Sequence, residues 1–87
     1  MATVFLAQPL RPDAGGNTSV EAAGATLREV IADLNRQFPG LGDRIVEAGA
    51  IREQVMVAVD ADETNSLDTP VKPESEVHLL MAIAGGG

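Results

Sequence analysis

The 87 residues include no cysteine, tryptophan or tyrosine, one histidine, one lysine and two phenylalanines. Without cysteine there is no disulfide scaffold, no thiolate zinc site and no cysteine nucleophile. With His78 as the sole imidazole, a histidine-built metal site and a Ser-His-Asp triad with a spare base are set aside. Two phenylalanines do not make a stacking platform for single-stranded nucleic acid. Positive charge is also scarce: six basic side chains face 13 acidic ones, a formal net charge of −7. Such a surface repels phosphate backbones and anionic lipids. It suits plain solubility or a partner with a basic groove. Arg28, Arg36, Arg44 and Arg52 are scattered among acids and form no stripe, so neither nucleic acid nor membrane is an expected partner. No apolar run approaches the roughly 20 residues of a membrane span. No basic segment precedes an apolar stretch as in a signal peptide, so the expected location is cytoplasmic.

What is present suffices for one small domain. Apolar residues make up 45% of the chain, enough for a single helix-on-sheet core at this length. Thr3 to Leu10 is apolar and partly β-branched and reads as a first strand, ended by Pro9 and Pro12. The run 12–17 is dense in turn residues, and Thr18 to Ala22 reads as a second strand, forming a hairpin with the first. Thr26 and Glu29 have the spacing of a capping box. Leu27, Val30, Ile31, Leu34 and Phe38 then recur at three- and four-residue intervals, predicting one amphipathic helix stopped by Pro39-Gly40. Residues 41–48 read as one further helical turn ended by Gly49. Gln54 to Asp60 is a third strand, 60–66 a polar connection, and Leu67 a candidate core plug. Glu76 to Ile83 is the last and most apolar strand.

The order strand, strand, helix, strand, strand predicts an α+β domain over 1–84. One main helix packs on one face of a mixed four- to five-stranded sheet, with the first and last strands paired in parallel at its centre. This is the β-grasp, or ubiquitin-like, fold. Periodicity alone leaves a ferredoxin-like sandwich open, but that fold needs a second full helix and 41–48 is too short for one. Residues 85–87 are three glycines. Lacking Cβ, they sample φ/ψ widely, so the expectation is a mobile, thin tail that can thread a carboxylate into a narrow site on another protein.

Four stretches together resemble the ThiS/MoaD family of ubiquitin-like sulfur carriers: LAQPLRPDAGG, ATLREVIADLNRQFPGLGDRI, VMVAVD and LDTPVKPESEVHLLMAIAGGG. The last is the most specific, joining an LDTP turn, the final strand and the terminal glycines. The resemblance spans nearly the whole chain. It implies that an E1-like adenylyltransferase uses ATP to adenylate the carboxylate of Gly87. Sulfur transfer then makes a thiocarboxylate, the sulfur donor for molybdopterin, thiamine or amino-acid biosynthesis. Gly85 and Gly86 would line the partner's tunnel. The implied partners are that enzyme and a sulfurtransferase or sulfur-accepting synthase, with ATP and a sulfur source used by the partner and no cofactor bound by this chain. The chain would be a cosubstrate rather than an enzyme, and a monomer when free. A ubiquitin-like modifier or a plain docking domain is the alternative. This sequence ends in three glycines where the family usually has two, and has Met81 where many relatives have proline.

Strand alternation also predicts a docking surface. If Val55, Val57, Val59, Val77 and Leu79 face the helix, Met56 and Leu80 face outward beside the root of the tail. The first strand is apolar on both faces, Val4 and Leu6 on one and Phe5 and Ala7 on the other, so alternation leaves its facing open; with Val4 and Leu6 placed inward, Phe5, Met56 and Leu80 form the expected partner-docking patch. His78 reads as an exposed strand residue and Lys72 as part of a solvated turn. Asp60, Asp62 and Glu63 lack the spacing of a calcium loop and read as a polar loop.

Overall fold

The computed structural model describes residues 1–81 of the chain. Its elements are β1 (Ala2–Leu6), a 3-10 helix (Gln8–Ala14), β2 (Ser19–Ala22), α1 (Leu27–Gln37), α2 (Leu41–Ile45), β3 (Val46–Glu47), β4 (Ala50–Ile51), β5 (Val55–Val59), β6 (Asp62–Thr64) and β7 (Glu76–Met81). Five strands form one sheet in the order β2-β1-β7-β5-β6, and β3 and β4 make a separate two-stranded ribbon. β1 and β7 are parallel, with Val4 opposite Val77 and Leu6 opposite Leu79. The other pairs in the sheet are antiparallel. This is the β-grasp architecture.

Local chemistry explains each element. The Thr26 hydroxyl accepts the Glu29 N–H at 3.3 Å, and Glu29 Oε1 accepts the Ala25 N–H at 2.9 Å. The box therefore closes one residue ahead of the cap and satisfies one orphan donor, the Glu29 N–H; the N–H groups of Leu27 and Arg28 donate instead to the carbonyls of Thr69 and Leu67. Gly24 precedes it because a Cβ there would lie 2.7 Å from the Val30 nitrogen. α1 buries Leu27, Val30, Ile31 and Leu34 against the inward residues Val4, Leu6, Val55, Val57, Val59, Val77 and Leu79. Leu67 and Val71 close one end of this core, and Leu10, Ala14, Leu41 and Ile45 close the other.

Several expectations are corrected. The first strand stops at Leu6 rather than Leu10, because the proline-bearing segment 8–14 coils into a 3-10 helix that drives Leu10 and Ala14 into the core. Residues 41–48 hold only a five-residue helix. β3 follows it directly, and the ribbon turns through Ala48 (φ 54°) and Gly49 (φ 80°) into β4. The connection 60–66 contains a fifth strand, β6, reached through a two-residue turn at Asp60 (φ 50°) and Ala61 (φ 73°). Paired positive φ angles are the geometry that matches the twist of a tight hairpin. The last strand is described only to Met81, which pairs with Val55.

Asp60 has a second task. Its Oδ1 accepts the Glu76 N–H at 2.9 Å and its Oδ2 accepts the hydroxyl of buried Ser75 at 2.7 Å. These bonds, with that of the Glu76 amide first, hold the Asp60 carboxyl below its ordinary range. They fix the start of β7 to the β5–β6 turn.

Ala61 sits in a left-handed conformation that strains a residue bearing a Cβ. Ala61→Gly is expected to raise the unfolding free energy by about 0.5–1 kcal/mol, after glycine's larger unfolded-state entropy is subtracted. Thermal melting should shift upward by a few degrees; a downward shift would contradict the assigned turn.

Candidate functional site

A sheet with one helix layer has one covered face and one open face, and alternation along each strand decides which residues line which. On β5 and β7 the inward residues are buried, whereas Met56 is 41% and Leu80 46% exposed. Register places Met56 directly opposite Leu80. The next row across the same face is Ser19, Phe5, His78, Ala58 and Glu63. Phe5 therefore lies on the open face, one row from Leu80. Its ring stacks on His78, with centroids 4.7 Å apart and planes at 14°. The stack leaves both rings half-buried and fills the middle of the face with a flat platform.

The face is graded in charge. Beyond the Phe5 row lie Glu21, Thr3 and Glu76, which share a register. Glu76 approaches the His78 ring, with Oε1 3.6 Å from Nε2. Glu63 flanks Ala58 on β6. The apolar pair Met56 and Leu80 lies toward Met81, and the acids lie at the opposite end and along the β6 edge. A shallow groove lined by Glu53, Met56, Glu63 and Thr64 continues the apolar pair past the edge strand.

The tail residues Gly85, Gly86 and Gly87 lie outside the described residues. The described chain ends at Met81, at the open face's apolar end, on the central strand between β1 and β5.

The remaining polar residues are accounted for by structure. Asp60 is used by Ser75 and Glu76. Asp62 and Glu63 are paired in β6 rather than in the loop expected for them. Asp33 is held below the ordinary carboxylate range, first by the Ala23 N–H and then by Arg36. Among the described residues no group of three or more His, Cys, Asp or Glu side chains is arranged to hold a metal ion, and no helix is long and apolar enough to cross a membrane. A second groove of about 260 Å³ lies on the helix side, between Ile31, Ala32, Asn35 and Gly42. The Asn35 side chain there is already spent: its Oδ1 accepts the N–H groups of Gly40 and Gly42 at 3.0 and 2.9 Å.

Two features of the face were not legible beforehand. The Phe5–His78 stack depends on the register of a parallel pair 73 positions apart in sequence, which local alternation does not reveal. The Glu21–Glu76 flank depends on the same register.

Comparison with known proteins adds an independent line. The model of the ThiS family matches residues 4–86. The chain is 33% identical over 90 aligned positions to the sulfur carrier protein CysO of Mycobacterium bovis and of Mycobacterium tuberculosis, covering 97% of each. Its structure superposes with TM-score 0.93 and 32% identity on a chain of the Amycolatopsis orientalis BexX/CysO complex, covering 99% of this chain and 100% of that one. The small archaeal modifier protein 1 of Methanosarcina acetivorans shares the fold, with TM-score 0.83 and 22% identity over 98% of this chain and 95% of that one.

The two faces predict opposite outcomes for adjacent substitutions. Leu80→Glu, on the open face, should leave the unfolding free energy within about 0.5 kcal/mol of the native value. Leu79→Glu places an unpaired charge in the core and should abolish the folded state. Equal melting temperatures for the two variants, measured by circular dichroism, would refute the assigned faces.

Proposed function

This chain belongs to the ThiS family, and we propose that it carries sulfur as a thiocarboxylate on Gly87, made and used by partner enzymes. A carboxylate is a poor acyl donor, because expelling oxide from it is prohibitive. In the proposed first step the Gly87 carboxylate attacks the α-phosphorus of ATP on an E1-like adenylyltransferase, forming an acyl-adenylate and releasing pyrophosphate. A sulfide-level sulfur, presented by a sulfurtransferase, then attacks the carbonyl carbon. The C–O bond to AMP breaks, AMP leaves, and the terminus becomes –COS⁻. Glycine suits this chemistry because no side chain hinders either attack or obstructs a narrow tunnel. Residues 85–87 act as the tail and the preceding domain as its handle. Catalysis belongs to the partner, and this chain is a cosubstrate.

The observation that carries this reading is the end-to-end correspondence, at 97% of both chains, with proteins named as sulfur carriers. The geometry supports it in a specific way. The open face sets an apolar pair, Met56 and Leu80, next to the root of the segment that must enter the partner. Phe5 extends the patch, and the acids at its far end suit a basic rim on the partner. Among recipients of the sulfur, the relatives' name favours amino-acid biosynthesis over molybdopterin or thiamine.

Intact-mass spectrometry after incubation with ATP, an E1-like partner and a sulfur source tests the proposal. The whole chain should gain the mass difference between sulfur and oxygen, confined to its last residue. Leu80→Glu, still folded, should slow that conversion at least tenfold, a loss of about 1.4 kcal/mol or more in docking. Conjugates at lysines of other proteins with no sulfur gain would instead support the modifier reading.

A further inference from the structure

Many acidic side chains of this chain are already engaged. Asp13, Asp33, Glu47 and Asp68 pair with arginines. Glu29 and Asp60 accept backbone N–H groups, and Glu76 lies against His78. Glu53 and Glu63 are both exposed and have no such partner among the described residues. Both line one groove of about 360 Å³, together with Val55, Met56, Thr64 and Asn65, and no cation lines it. The other grooves differ. On the helix side Asp43 shares its groove with Arg28, and beside Gly24 the acids Glu29 and Asp33 share theirs with Arg36. Arg52, next to Glu53 in sequence, is turned elsewhere: its Nε donates to the Asp43 carbonyl at 2.7 Å, and its guanidinium pairs with Glu47.

The groove has a structural cause. β5 runs from Val55 to Val59, but β6 pairs only with Val57, Ala58 and Val59. Past Thr64 the chain leaves the edge of the sheet, because the Thr64 hydroxyl accepts the Ser66 N–H at 3.1 Å and bonds the Thr69 hydroxyl at 2.8 Å. Leu67 then turns into the core. Val55 and Met56 are thus paired with Met81 and Leu80 on one side and line the groove on the other. A groove that follows a strand edge suits an extended segment. The opposite edge of the sheet offers less, since on β2 the Glu21 carbonyl already accepts a hydrogen bond from Gln37 Nε2 at 2.8 Å. Exposed Met56 supplies an apolar contact beside the two acids. Carboxylates that no cation of this chain neutralises attract one from outside. A guanidinium suits them better than an ammonium, because its planar fork donates to two carboxylates at once. A second copy of the chain, itself at −7, is a poor occupant.

We propose that this groove docks an extended, arginine-bearing segment of a partner protein, with the guanidinium between Glu53 and Glu63 and a neighbouring apolar side chain on Met56 and Leu80. Binding there requires no change at residue 87, so it stands apart from the sulfur chemistry proposed above.

The test uses the ¹⁵N-labelled full chain and no partner enzyme. The probe is the tripeptide acetyl-Leu-Arg-Leu-amide, with acetyl-Leu-Glu-Leu-amide as control, and amide resonances are followed by NMR during titration. Saturating shifts are expected at residues 55–57 and 63–65 with the arginine peptide and not with the glutamate peptide. Glu53→Gln/Glu63→Gln, checked for folding by circular dichroism, should weaken the dissociation constant at least threefold, the scale of two surface ion pairs. Glu21→Gln/Glu74→Gln, which removes two acids outside the groove, should leave it unchanged. Shifts spread evenly over all the acidic surface, equal weakening in the two double variants, or no saturation at 55–57 and 63–65 up to the peptide's solubility limit would overturn the proposal. So would shifts at these residues that grow with protein concentration in the absence of peptide, which would assign the groove to a second copy.

Discussion

The parallel pairing of β1 with β7 is the constraint on which the rest of the structure depends. It places the last described strand between β1 and β5, so β7 is hydrogen-bonded along both edges and buries Val77 and Leu79. Once β1 and β2 form a hairpin, the chain must cross one face of the sheet to reach the far side of β7. α1 makes that crossing and covers that face. The other face is left open for the whole width of the sheet. Met81, the last described residue, therefore sits in the middle of the sheet rather than at its edge. The Asp60–Ser75–Glu76 bonds anchor the other end of the same strand.

This arrangement separates holding from reacting. The covered face contains nearly all the apolar burial. The open face carries exposed Met56 opposite exposed Leu80, and beside them half-buried Phe5 stacked on His78, all placed by register. β7 itself is held on both sides, by β1 and by β5. Under the proposed function, the domain serves chemistry by presenting one carbon to another protein's active site.

Much of this was legible in the sequence because two periodicities are clean. The spacing of Leu27, Val30, Ile31 and Leu34 announced α1, and the alternation in VMVAV and EVHLLM announced the inward and outward sets. The capping box at Thr26 and Glu29 marked the helix start, although the glutamate reaches Ala25 rather than the cap itself. The misses have a common cause. β4 and β6 follow tight turns built on Ala48, Asp60 and Ala61, which take positive φ without the Asn-Gly or Asp-Gly signature that betrays such turns. The 3-10 helix at 8–14 was hidden because Pro9 and Pro12 read as breakers, although Pro fits a first turn whose donors are unused. At the candidate site the outward direction of Met56 and Leu80 followed from period two, whereas β1 is apolar on both faces, so the outward direction of Phe5 needed the pairing with His78. The acidic flank and the Phe5–His78 stack required a register between strands at opposite ends of the chain. The glycines at 85–87 were conspicuous by composition, but their chemical meaning came from the family and not from periodicity.

The central claim is that all the covalent chemistry falls on one terminal carbon while the domain stays as it is. Placing a ¹³C label on the Gly87 carbonyl, and following it by NMR together with the backbone amides, tests this most directly. On reaction with ATP, sulfide and an adenylating partner, followed by repurification, the labelled carbonyl resonance should move to a thiocarboxylate position. The amide resonances of residues 2–81 should stay where they were. An unmoved carbonyl alongside an active partner, or widespread shifts through β1, β5 and β7, would contradict the account.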